Sequence, residues 1–228
     1  MMSHAATTIP DVEAWNDAFA LEHDIDDYYA RSSFLIRYIE RRRLELIRRM
    51  AAPRPDDRIL EVGCGGGHVL RLFPSADLTG VDVSGHMLEK ARRNLKGCRT
   101  TLIKGDIQEL NLPRAAFDVV ICSEVLEHTT DPERILAEMR RLLTPGGRAV
   151  ITFPNDPLVN RLKGAVRAVR LDSLPPFRRI SWGGDVYHLH VWRPRQMRAL
   201  LSNHFRIMRE SYAPNALFKI RCCFLCTT

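Results

Sequence analysis

A chain of 228 residues, 45% hydrophobic and 27% charged, suits one compact globular domain and excludes a disordered chain. No apolar run approaches the roughly 18 residues of a membrane-spanning helix, and MMSHAATTIPDVEAW lacks the basic-then-apolar pattern of a secretory signal. The net charge of +7 is concentrated: residues 31–49 hold seven arginines against Glu40 and Glu45, and residues 161–179 hold six basic residues against Asp172.

After a polar start, residues 11–22 and 27–50 are predicted helical. In the second, Phe34, Leu35, Tyr38, Ile39, Arg42, Glu45 and Leu46 mark an apolar stripe with arginines beside it. AAPRPDD (51–57) breaks the chain. RILEV (58–62) reads as a strand leading to a helix that ends near Phe73, and DLTGVDV (77–83) as the next strand. Ser84 is placed as N-cap of a helix carrying Met87, Leu88, Ala91 and Leu95 on one face. TTLIKGD (100–106) and FDVVICS (117–123) are strands, the latter apolar enough to be buried on both faces. Asp131-Pro132 caps a helix with Ile135, Leu136, Met139, Leu142 and Leu143 inward, and TPGG (144–147) turns into strand RAVITF (148–153). A helix over 193–202 then precedes strands 204–212 and 216–226, with APN (213–215) as their turn. So short a turn requires antiparallel pairing. The six cysteines are scattered or crowded at the end, which suits a reduced, cytoplasmic setting rather than a disulfide framework.

ILEVGCGGGHVL (59–70) carries the first chemical signal. Glycines 63, 65 and 67 follow a strand, as in nucleotide-binding loops, but His68 stands where a dinucleotide fingerprint has its last glycine. Glu61, two residues before the first glycine, would repel a pyrophosphate and favour a cationic ligand. Asp82 ends the second strand, where a carboxylate accepts from two ribose hydroxyls. Asp106 ends the third, placed for an adenine amino group with Ile107 against the base. A ligand with an ammonium, a sulfonium and a nucleoside fits this set: S-adenosylmethionine. An NAD enzyme is disfavoured by Glu61.

ILEVGCGGG, LTGVDVS, KGDIQEL and FDVVICSEVLEHTTDPERILAEMRRLLTPGGRAVITFPN together resemble the class I S-adenosylmethionine-dependent methyltransferases, closest to the small-molecule group that includes the quinone-biosynthesis enzymes. The resemblance implies an α/β, Rossmann-like sheet of seven mostly parallel strands with an antiparallel C-terminal hairpin. Residues 1–50 would form an N-terminal helical cap or lid. Residues 51–228 would be the cofactor domain, with 155–192 as an acceptor-side insertion. It implies cofactor contacts from Glu61, Gly63, Cys64, Gly65, Gly67, Asp82, Val83, Met87, Asp106, Ile107, Ser123 and Glu124.

Methyl transfer to a hydroxyl needs an aligned acceptor and a base, and histidine serves near neutral pH. The candidates are His190, His128 and His188, with His190 favoured among them; holding a loop (His128) or stabilising a turn (His190) is the alternative to catalysis. Glu124, Glu127 and His128 are read as hydrogen-bonding groups at a helix start rather than ion ligands, so no metal is assigned. An N/D-P-P-Y motif after the fourth strand and a Pro-Cys nucleophile are both absent, which argues against methylation of DNA bases. Cys223 and Cys226 form one CxxC, too few ligands for a zinc site, and are read as packed strand thiols. In PLVNRLKGAVRAVRLD, Leu158, Leu162, Ala165, Val166 and Val169 share a helical face, with Lys163, Arg167 and Arg170 on another. A core-facing lid helix is preferred to an interfacial helix on anionic lipid. The expected activity is methylation of a small molecule, O-methylation before N- or C-methylation, with an anionic or lipid-borne acceptor and peripheral contact with an anionic membrane as extensions. Its alternative is a non-catalytic module of this fold whose basic helices bind a membrane surface or nucleic acid, the latter weakened by the lack of aromatic stacking pairs.

Overall fold

The computed structural model describes residues 32–174, 177, 180 and 188–228. Its elements are α1 (Phe34–Ala51), β1 (Arg58–Val62), a 3-10 turn (Leu70–Leu72), β2 (Asp77–Asp82), α2 (Gly85–Asn94), β3 (Thr100–Lys104) and β4 (Phe117–Ser123). A second 3-10 turn (Leu126–His128), α3 (Pro132–Leu142), β5 (Leu143–Pro154), α4 (Asp156–Ala168), α5 (Pro194–Ser202), β6 (Arg206–Pro214) and β7 (Lys219–Thr227) complete it. The strand order is β3-β2-β1-β4-β5-β7-β6. β1 to β5 pair in parallel, and β7 runs antiparallel to both its neighbours. The seven-stranded, mostly parallel sheet with a C-terminal hairpin is therefore as expected.

Successive side chains of a strand point to opposite faces, so a sheet covered on both sides needs two apolar layers. Leu60, Val120, Cys122, Ala149 and Ile151 enter one layer with Leu136 and Met139 of α3 and Met197 and Leu201 of α5. Ile59, Val119, Ile121 and Val150 enter the other with Ile47 and Met50 of α1 and Leu88 and Ala91 of α2. Fully buried Phe153 and Phe224 stack across β5 and β7 with ring centroids 5.8 Å apart.

Four expectations change. The helix expected after β1 is only a 3-10 turn. Positive φ at Gly63, Gly65 and Gly67 breaks the helical path before it can propagate. The buried side of α1 is Ile39, Glu40, Arg43, Ile47, Met50 and Ala51. Phe34 and Tyr38, placed in the buried stripe from sequence, are exposed. This helix enters the core layer through Ile47, Met50 and Ala51; residues 1–31 lie outside the described residues. The hairpin turn falls at 215–218 rather than 213–215, because Asn215 Oδ1 accepts the backbone N–H groups of Leu217 and Phe218, both at 3.0 Å. Finally, α4 buries no residue, so it is not a core-facing lid helix. Its apolar positions only lean on the body, leaving Arg161 and Arg167 in solvent. Among the described residues, no helix is long and apolar enough to cross a membrane.

Candidate functional site

The carboxyl ends of β1, β2, β3 and β4 open on one edge, where ligands bind in such sheets. The loop after β1 is shaped by its glycines. At Gly63, with φ +66°, an added Cβ would lie 2.5 Å from Cγ2 of Val125. At Gly67, with φ +76°, it would lie 2.8 Å from Cδ1 of Leu95. Asp82 fixes the same loop from β2: its Oδ2 accepts from the Gly65 N–H at 2.7 Å and its Oδ1 from the Ser84 N–H at 2.9 Å. Ser84 in turn caps α2 by accepting from the Met87 N–H at 3.2 Å, as expected. Met87 is buried and Val83 half-buried beside it. Cys64 gives its N–H to Val81 and buries its side chain, so it shapes the loop rather than facing a ligand with its thiol.

Glu61 is 2% exposed, and its Oε2 meets no hydrogen-bond partner among the described residues. Burial, opposed by the positive charge of Arg43, holds its carboxyl well above the usual glutamate range. A buried carboxyl with an idle oxygen is costly unless a ligand completes it. At the adenine end, Ile107 is buried, and Asp106 accepts from the Gln108 backbone N–H at 2.9 Å. The Gln108 side-chain amide also covers both Asp106 oxygens, at 3.2 and 3.1 Å. A base amino group reaching Asp106 would take the place of a group of its own chemistry.

The structure brings in a cluster that the sequence did not single out. Arg43 donates to Glu40 Oε2 at 2.8 Å and to the Ser123 hydroxyl. Ser123 Oγ lies 3.0 Å from Thr152 Oγ1, which donates to Glu124 Oε1 at 2.9 Å. Glu124 Oε2 meets Arg221 Nε at 3.0 Å, and Arg221 returns to Glu40 Oε1 at 3.1 Å. With Arg43 and Arg221 as donors, Ser123 must donate to Thr152, and the ring closes with every link directed. The ring joins α1, β4, β5 and β7 behind the glycine loop. Glu124 takes φ +58°, a strained conformation held by this surrounding structure. Its carboxylate faces Arg221 and Thr152, while Ser123 contacts Arg43. The available sequence signal was a charge at Glu40 and Arg43 in register with Ile39, Ile47 and Met50.

The three histidines fall in two settings. Leu189 and His190 both donate backbone N–H groups to the Glu127 carbonyl, at 2.8 and 3.1 Å, pinning this segment beside the end of β4. His190 stacks on Trp192 with centroids 5.1 Å apart, and His190 Nε2 and Trp192 Nε1 are buried without partners among the described residues. His188 instead places Nδ1 2.8 Å from Asp156 Oδ2 and meets His128 edge-on at 4.9 Å between centroids. Donor atoms of Glu127, His128 and His188 all lie within 4.8 Å of one another. Cys222, Cys223 and Cys226 are buried free thiols, Cys223 and Cys226 both pushed up to about 12 and chiefly by burial. They are packed strand residues, as expected.

Residues 60–151 match the family described as a methyltransferase domain. A ubiquinone biosynthesis O-methyltransferase from Vibrio parahaemolyticus is 30% identical over 171 residues, covering 68% of this chain and 70% of that protein. One from Bordetella avium is 34% identical over 110 residues, 46% of each chain. The match thus spans less than half the length of some curated relatives and about two thirds of others. Among solved structures, the N-methyltransferase NodS from Bradyrhizobium japonicum, in complex with S-adenosyl-L-homocysteine, aligns with a TM-score of 0.61 at 18% identity. That alignment covers 83% of this chain and 87% of that one.

Proposed function

The chain belongs to the class I S-adenosylmethionine-dependent methyltransferases, and we propose that it methylates a hydroxyl of a small-molecule acceptor. The observation that carries this reading is the idle, buried Oε2 of Glu61 beside a loop that no Cβ could fill at Gly63. An ammonium is the group such a carboxylate lacks. The residues fit the rest of the cofactor: Asp82 for ribose hydroxyls, Asp106 and Ile107 for adenine.

Bound S-adenosylmethionine supplies a methyl carbon already activated by its sulfonium. The protein aligns the acceptor and removes its proton. His190 is the base in this reading, because its Nε2 is buried without a partner and its ring is held by Trp192. Residues 155–192 are the acceptor-side segment. The O-methyltransferase names of the relatives support a hydroxyl acceptor, and no observation favours the non-catalytic alternative. We place the protein in the cytoplasm, consistent with its free cysteines.

An anionic or lipid-borne acceptor extends the proposal. Arg161, Arg167 and Arg170 are exposed with Val169, Leu171 and Leu174 beside them, a combination suited to an anionic lipid surface. Co-sedimentation with neutral and anionic vesicles tests it: preference for the anionic ones supports it, and equal partitioning removes it. The core proposal is tested by calorimetry with S-adenosylmethionine and by S-adenosylhomocysteine release across phenols, quinols, acids and amines. Binding of NAD alone would overturn it.

A further inference from the structure

We infer that the indole N–H of Trp192 is a second acceptor-side group, donating to the acceptor oxygen whose proton His190 Nε2 takes. The inference deepens the proposed function and rests on that reading. Two idle nitrogens carry it. His190 Nε2 and Trp192 Nε1 are both shut off from solvent, and neither has a hydrogen-bond partner among the described residues. An indole nitrogen can only donate, so Trp192 lacks an acceptor. A neutral imidazole has one nitrogen that accepts, so Nε2 can take a proton. The two rings stack with centroids 5.1 Å apart and planes 29° from parallel. A hydroxyl, with one O–H bond and free lone pairs, is a single group that completes both nitrogens.

Both rings are held before any acceptor arrives. On one side, the Glu127 carbonyl accepts the backbone N–H groups of Leu189 and His190. On the other, α5 begins directly after Trp192 and is locked at its start. There the Arg193 N–H donates to Gln196 Oε1 at 3.0 Å, and the Gln196 N–H donates to the Arg193 carbonyl at 2.9 Å. Between these anchors, half-buried Trp192 packs on the core layer that holds Met197 and Leu201. Val191 between the two rings is exposed, the alternation of an extended segment that turns both rings to one side. Packing alone would be served by phenylalanine, without the cost of a buried and unpaired donor.

The two nitrogens divide the chemistry. As the acceptor O–H bond breaks, its proton goes to His190 Nε2 and negative charge gathers on the oxygen. The Trp192 N–H keeps its own proton and stabilises that charge where water is excluded and a fixed donor acts most strongly. The charge is discharged when the oxygen's electron pair forms the bond to the methyl carbon and the carbon–sulfur pair stays with sulfur. The donor therefore matters most for weakly acidic hydroxyls, which hold the developing charge least well. An amine nucleophile gains positive charge instead, which an N–H donor opposes. The arrangement thus selects hydroxyl over amine acceptors.

Trp192→Phe in the full chain keeps a ring and removes the donor. With the phenol or quinol that releases S-adenosylhomocysteine fastest, kcat should fall about 10- to 100-fold while S-adenosylmethionine affinity stays within twofold. The loss should grow across ring-substituted analogues of rising hydroxyl pKa. A second measurement needs no turnover. In isotope-labelled protein, the indole resonance missing from Trp192→Phe is followed as phenol is added in the presence of S-adenosylhomocysteine. It should move downfield as the N–H gains an acceptor, and should stay in place with toluene, which has the ring without the oxygen. A resonance that phenol leaves in place, or that toluene shifts equally, would overturn the inference. So would a kcat for Trp192→Phe within twofold of the wild type. A wild type that turns over no hydroxyl acceptor would count against the proposed function, and the resonance would still report on Trp192.

Discussion

Arg221 on the last strand sits 3.1 Å from Glu40 on the first described helix, 181 residues away, and the pair closes the polar ring behind the glycine loop. Glu40 lies between two guanidiniums. Burial raises its carboxyl, and Arg43 and Arg221 together outweigh that, so it sits below the ordinary value of 4.5. A depressed carboxylate contributes stability that is fully present above the unfolded value and lost as the pH falls toward the folded one. The ring should therefore fail below about pH 4.5. Glu40→Ala leaves the buried Arg43 without its carboxylate and takes from half-buried Arg221 one of its two, and should cost about 3 kcal/mol in urea unfolding at pH 7. A loss no larger than that of an exposed control such as Glu45→Ala would show that the ring contributes nothing.

Glu61 has the opposite sign. Its carboxyl is raised by burial, so the folded protein binds a proton that the unfolded chain releases, and stability falls as the pH climbs above 4.5. Glu61→Gln should accordingly stabilise the ligand-free protein at pH 7, on the order of 1–2 kcal/mol. The same change should weaken S-adenosylmethionine more than tenfold, because the ammonium loses its charged partner. Wild-type affinity should rise with pH as Glu61 ionises, and the variant's should not. Thermal melts and calorimetry at several pH values check both halves. A variant that is both less stable and equally tight would refute the assignment.

The sheet was legible because strands such as FDVVICS feed alternate side chains into two apolar layers, and nothing else suits a seven-residue run like that. The positions of Glu61, Asp82 and Asp106, at or just past the ends of three parallel strands on one edge, could be read from the apolar runs that precede them. Arg43 was not. It lies in a run of arginines that composition alone reads as a solvated face, and only contacts with β4 and with Arg221 show which arginine turns inward. Asp156 and Thr152 were hidden for the same reason: their partners are 32 and 28 residues away in sequence. The failed helix after β1 is a different lesson. Four glycines within five residues read as a ligand loop, while the left-handed backbone at three of them, Gly63, Gly65 and Gly67, also forbids the helix drawn through them.

Asp82 both receives the ligand in the proposed site and restrains the loop through Gly65 and Ser84. Asp82→Ala should therefore weaken S-adenosylmethionine by well over tenfold, with a smaller loss of stability of about 1–3 kcal/mol from two released backbone donors. Calorimetry and urea unfolding separate these effects. Retained affinity in a folded Asp82→Ala protein would remove Asp82 from the site.

Gly63→Ala tests the loop's shape without touching a charge. The added methyl meets Val125 Cγ2 at 2.5 Å, and φ +66° is strained for any L side chain. A destabilisation of about 1–3 kcal/mol is expected together with weaker cofactor binding. Adding Val125→Ala should recover the part due to the clash but not the backbone part, about 1 kcal/mol. A double variant no better than the single one would show that the clash is not what excludes a side chain there.

His190 separates proton removal from binding. It lies outside the glycine loop and the acids assigned to the cofactor, and its Nε2 has no partner among the described residues. His190→Asn should lower kcat by about 10²–10⁴ for a hydroxyl acceptor while leaving S-adenosylmethionine affinity within twofold. Added imidazole should restore part of the lost rate, since the vacated space beside Trp192 admits a ring of the same size. A turn-stabilising role predicts another pattern: lower stability, no imidazole rescue and parallel losses of binding and rate. Because Glu127 holds the segment through its carbonyl rather than through the His190 ring, the ring can be removed without releasing the backbone pair. The rescue experiment thus reports on chemistry at Nε2, and its failure in a stable variant would move the base elsewhere.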